Sequence, residues 1–180
     1  MAVYVEPEVH IIEKYFQEVL HCFTMTNIRC KGNKEIDLLA INPRTLEKYH
    51  VEARISVSKS FALREKDTYT SKGKAYRIGL DYFSEKKFNH PMITEKIRQF
   101  FGESDYHKVL VVWHAGNLPA YSRIALEKYG FDVWALRNIF TELVEKGCTS
   151  GSRDDVIRVV ELLSLYNKEI KYWVKRIREI

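Results

Sequence analysis

The chain has no apolar run long enough to span a bilayer, no internal repeat and no low-complexity tract, which argues against helical membrane, solenoid and fibrous classes. Its first residues, MAVYVEPEV, lack the basic and apolar regions of a signal peptide. The three cysteines, Cys22, Cys30 and Cys148, are odd in number and form no C-x-x-C pair. A protein of the reducing cytoplasm, without a zinc site or a membrane partner, is therefore expected. Also missing are a G-x-S-x-G elbow, a dinucleotide-binding glycine fingerprint and a cysteine placed as a nucleophile, while Thr70-Ser71-Lys72-Gly73 lacks the spacing of a phosphate loop. No small-molecule cofactor is expected. His10, His21, His90, His107 and His114 fall in different segments at no metal-ligand spacing and read as packing or surface residues.

What is present suits one compact domain with an appended element: 180 residues, 46% of them hydrophobic, with a formal net charge of +5. That charge is mildly favourable to a polyanionic partner and decides nothing alone. The informative stretch runs from Gly32 to Ser56, where Glu35–Ile41 and Tyr49–Val57 read as two strands joined at Asn42-Pro43-Arg44-Thr45. Alternation puts Ile36, Leu38 and Ala40 on one face of the first strand and Asp37 on the other. On the second strand, Val51, Ala53, Ile55 and Val57 oppose His50, Glu52, Arg54 and Ser56. A carboxylate within an apolar strand, beside a carboxylate of the next strand, is costly unless paired or bound to metal. His50, on the Glu52 face, reads either as a substrate contact or as a solvated strand-edge residue.

An Asp on one strand, a Glu one strand and turn later, and a basic residue two positions beyond it resemble the PD-(D/E)XK nuclease superfamily. The residues that carry the resemblance are Asp37, Glu52 and Arg54, in I-D-L-L-A and V-E-A-R. Relatives of archaeal Holliday-junction resolvases and Mrr-type restriction enzymes add an acid on the first helix, where Glu13 stands. Arg54 occupies the place of the usual lysine, with Lys59 or Lys34 as alternative sources of a displaced one. The resemblance implies a restriction-endonuclease-like mixed α/β fold, its central mixed sheet flanked by helices, and Mg²⁺- or Mn²⁺-dependent hydrolysis of double-stranded or branched DNA. Asp37 and Glu52 would hold the metal, hard oxygen donors being suited to such an ion. Glu13 would orient a water or help hold the metal, and Arg54 would contact a phosphate oxygen without acting as a base. Glu13 also reads as a plain solvated helix charge.

Elsewhere, helical spacing predicts helices over 9–21, 92–101, 118–129 and 139–146, the last capped by Asn138, and strands over 23–31, 108–113 and 131–136. K-V-L-V-V-W reads as a strand buried on both faces. The basic and aromatic stretch containing Lys59, Lys72, Lys74 and Arg77 reads either as a phosphate grip or as an exposed excursion. The expected organisation is a nuclease domain over 1–147, a linker over 148–152 and a long C-terminal helix over 153–180. Val160, Asn167 and Val174 at a, with Leu163, Ile170 and Ile177 at d, form a three-heptad seam that suits a homodimer, unless the helix covers its own sheet. Two other functions stay open: a catalytically silent nucleic-acid-binding module of the same fold, and a dimeric structural or interaction protein.

Overall fold

The structure, a computed structural model, describes residues 6–55, 64–66, 68–69, 75–113, 118–147, 155 and 159. Lys59, Lys72, Lys74, the linker and the heptad seam lie outside these residues, as does the side chain of Arg77.

Helix α1 (Pro7–Glu18) is followed by strands β1 (Phe23–Cys30), β2 (Lys34–Ile41) and β3 (Lys48–Arg54). A short pair, β4 (Thr68–Tyr69) and β5 (Ala75–Arg77), precedes α2 (Leu80–Tyr82), which runs into a π-helical stretch, Phe83–Phe88. Then come α3 (Pro91–Phe101), β6 (His107–Val112), α4 (Leu118–Ile124) with a π-helical end, β7 (Asp132–Ala135) and α5 (Leu136–Glu142). Five strands form one mixed sheet in the order β1-β2-β3-β6-β7; β1, β2 and β3 are antiparallel neighbours, and β6 and β7 continue the sheet in parallel. The expected elements are present over the described residues, with one correction. Asn138 does not cap α5, which starts at Leu136 directly from β7 with Ala135 as N-cap. The hairpin turn is fixed by Asn42, whose Oδ1 accepts from the N–H groups of Arg44 (2.8 Å) and Thr45 (3.1 Å).

The sheet has an apolar layer on each side. On one, Leu38, Ala40, Val51, Val109 and Val111 pack against Ile12, Tyr15 and Phe16 of α1 and Leu136 and Ile139 of α5. On the other, α2, its π-helical extension and α4 cover Leu110, Val112 and Val133, while Ile93 and Ile97 of α3 cover Ile28, Ile36 and Leu39. Residues 109–112 are fully buried, as expected of a strand covered on both sides. Ile36, which strict alternation would group with Leu38, packs instead with Leu39. At this point of β1, Asn27 has a φ of 51°. Between these two outer clusters lies β3, whose corresponding face carries His50 and Glu52 instead of apolar side chains. The centre of the sheet is therefore apolar on one face and polar on the other.

Candidate functional site

Antiparallel pairing of β2 with β3 runs from Ile41↔Lys48 to Leu38↔Val51, and one further step in that register sets Asp37 level with Glu52. Residues opposite one another in an antiparallel pair share a face, so the two carboxylates are neighbours by construction. Asp37 Oδ2 accepts the main-chain N–H of Ala53 at 2.7 Å, which ties the acid of β2 to β3 where the ladder ends. Glu52 is 1% exposed and His50 fully buried, and His50 Nε2 lies 2.8 Å from Glu52 Oε1.

The cation beside this pair comes from neither strand. Lys87 Nζ lies 2.5 Å from Glu52 Oε2 and 3.7 Å from Asp37 Oδ1, and donates to the carbonyl oxygen of Glu35 at 3.2 Å. Local geometry brings it there. In the stretch Phe83–Phe88, i→i+5 bonding, seen in the 2.8 Å contact of Asn89 N–H with the Ser84 carbonyl, turns residues five apart towards the same side. Phe83 and Phe88 both enter the core below β6, leaving Lys87 half-buried on the flank that meets β2 and β3. Burial anchors the helix; the lysine follows from its phase.

Burial dominates the electrostatics. Desolvation, reinforced by the charge of Glu52, raises the Asp37 carboxyl to about 7, although Lys87 and the Ala53 N–H oppose it. Glu52 is likewise raised to about 7 by burial, with Lys87 pulling it down. Burial pulls the Lys87 ammonium down, but the two carboxylates outweigh this and hold it above its ordinary value. His50 is pushed down to about 3 by burial, so it is the neutral imidazole that meets Glu52. Near neutral pH the site is thus a charged lysine beside two carboxylates that compete to keep a proton.

The candidates named from the sequence distribute unevenly. Asp37 and Glu52 meet as expected. Arg54 is exposed at the end of β3 and acts electrostatically on Glu6; the ammonium at the acid pair is that of Lys87. Glu13 faces β1, where its Oε1 accepts from Thr24 Oγ1 at 3.0 Å and its Oε2 lies 3.4 Å from His10 Nδ1. It completes no three-residue ligand group with Asp37 and Glu52, for no such group of His, Cys, Asp or Glu occurs among the described residues. The acid of the α1 end whose field couples to Asp37 is instead Glu6, its N-cap, raised by partial burial and then by Glu8, Asp37 and Glu35. Lys34 pairs with Cys30 at the start of β2, and among the described residues the cationic partner of both acids is Lys87. His50 is neither a substrate contact nor a solvated residue: α2's extension and Tyr106 close over it, with Phe88 edge-on at 5.0 Å. Sequence reasoning missed Lys87. The available signal was F-S-E-K-K-F, with aromatics five apart, a spacing that fits neither an α-helix nor a strand.

Two adjacent carboxylates suit a hard divalent ion that keeps most of its waters, not a four-ligand transition-metal centre. One observation supports the fit: Glu52 Oε2 is buried and faces the Lys87 ammonium at 2.5 Å, with Asp37 beside the same ammonium, so a divalent ion binding there would take the place of a positive charge the two carboxylates already hold. No helix among the described residues is long and apolar enough to cross a membrane. Comparison of the chain with protein-family models, curated proteins and solved structures finds no match.

Proposed function

We propose that this protein is a metal-dependent endonuclease that hydrolyses DNA phosphodiester bonds on a restriction-endonuclease-like scaffold of the PD-(D/E)XK kind. The observation that carries the reading is the juxtaposition of Asp37 and Glu52 on adjacent strands with the Lys87 ammonium against both. A Mg²⁺ or Mn²⁺ ion bound there would lower the pKa of a water and polarise the scissile phosphate. Asp37 and Glu52 would supply its protein oxygens. The N–H of Ala53 fixes one carboxylate, and the other, Glu52, is 1% exposed.

Lys87 takes the part expected of the motif lysine. Protonated beside the two carboxylates, it would act by charge: displaced from Glu52 when a divalent ion takes them, it would neutralise a non-bridging phosphate oxygen, whose negative charge then takes over the part of the carboxylates in keeping it protonated. Arg54, exposed at the end of β3, would contact a neighbouring phosphate of the duplex. The same Lys87 contacts favour one other reading, a silent DNA-binding module in which the ammonium permanently replaces a metal. Incubating the protein with plasmid, branched DNA and RNA in Mg²⁺, Mn²⁺ or EDTA separates the two. Metal-dependent nicking or cleavage of DNA that disappears in Asp37→Ala and Glu52→Ala is expected. Activity that survives EDTA or both substitutions, or that is confined to RNA, would overturn the assignment.

A further inference from the structure

We propose that His50 is a positioning residue that locks the Glu52 carboxylate in its metal-binding orientation by donating a hydrogen bond from Nε2 to Oε1. The inference rests on the metal-dependent reading above and adds a residue outside the acid-and-lysine constellation. The contact is 2.8 Å and almost wholly removed from water, with His50 0% and Glu52 1% exposed. In the ionised form that would hold a metal, Glu52 Oε1 can only accept, so the proton sits on Nε2 and Nδ1 carries a bare lone pair. That lone pair is buried and has no hydrogen-bond partner among the described residues. An unmet buried polar atom is costly, and the Nε2–H···Oε1 hydrogen bond to Glu52 is the contact that offsets it. The arrangement makes sense if the donor at Nε2 is what the site requires.

The ring is itself held. Phe88 meets it edge-on at 5.0 Å with an interplanar angle of 73°, Tyr106 lies at 6.3 Å, and Lys108 of β6 is level with His50 in the parallel register, its ammonium turned to Asn89 Oδ1 at 2.7 Å. Glu52 thus has one oxygen fixed by the imidazole and the other, Oε2, directed at the Lys87 ammonium, which also faces Asp37. Partners that orient a metal-ligating carboxylate typically change metal affinity by about 10–100-fold when lost.

Two readouts test the assignment without relying on turnover. Nitrogen-15 NMR of the metal-free protein is expected to show the Nε2–H tautomer for His50; the Nδ1–H tautomer would overturn the proposal. Mn²⁺ titration is then compared among wild type, His50→Leu and His50→Gln, since Gln can place an N–H near the position of Nε2. His50→Leu is expected to weaken Mn²⁺ binding by about tenfold or more, and His50→Gln to remain within about threefold of wild type. Equal affinity in all three proteins, or equal loss in both variants, would overturn the positioning role while leaving the metal site intact. Absence of Mn²⁺ binding to the wild type would instead overturn the metal-dependent reading, and this inference with it.

Discussion

Replacing Asp37 by Asn is expected to stabilise the fold above neutral pH while abolishing metal binding. The perturbation removes one of two like charges held near each other and away from water, and Asn retains an oxygen to accept the Ala53 N–H now bonded to Asp37. The shift from 3.8 to about 7 is worth at most about 4 kcal/mol, at about 1.4 kcal/mol per unit. Two things reduce it. The Asp37 side chain is 22% exposed, and its charge also attracts Lys87 at 3.7 Å, an interaction that the substitution forfeits. A net gain of about 1–3 kcal/mol remains, or a rise in Tm of roughly 2–10 °C for a chain of this size. The sign with pH follows from the raised folded-state value. The native state keeps its proton where the unfolded chain has lost it, so this contribution to stability is fully present below about pH 4 and is lost as pH rises through about 7. The advantage of Asp37→Asn should therefore be near zero at pH 4, grow through the interval and level off above pH 7. Thermal or urea unfolding in EDTA at pH 4.5, 6 and 8 measures it. A variant less stable than wild type at pH 8, or equally stabilised at all three pH values, would refute the reasoning that desolvation governs the site.

The lysine and arginine should separate cleanly in single-turnover cleavage: Lys87→Met is expected to lower the rate by about 10²–10³, and Arg54→Ala by less than about tenfold. The reverse order would return the electrostatic role to β3. With both carboxylates raised to about 7, Mn²⁺ must displace a proton, so its affinity should rise by up to about tenfold per unit between pH 6 and 7.5 and flatten above; isothermal titration with no pH dependence would contradict this. Truncation after Gly151 should convert a dimer into a monomer in sedimentation equilibrium if the heptad seam is the interface, and a full-length monomer would remove the seam from consideration.

The chain's own pattern fixed the hairpin and, through it, the acid pair. Two strands joined by a turn that Asn42 closes pair from Ile41↔Lys48 to Leu38↔Val51, and one further step in that register sets Asp37 level with Glu52. The buried strand of residues 109–112 was legible for the same reason: a run of β-branched residues needs cover on both sides whatever covers it. Burial of His50 was not legible. Along β3 it alternates as a polar residue beside polar Glu52, and only docking of Phe88 and Tyr106 from distant segments encloses it. Nor was the approach of Lys87 to acids thirty-five and fifty residues earlier, because its phase depends on a π-helical stretch stabilised by where Phe83 and Phe88 find apolar partners on β6 and Phe131. Glu13 shows the converse. Its place near the sheet edge follows from helical spacing, but the crossing of α1 over β1 delivers it to Thr24, and the end of the helix, at Glu6, is what approaches Asp37. Local periodicity determines which face a residue occupies; which residues meet across faces is decided by packing between elements far apart in the chain, and the charge at this site is assembled by that packing.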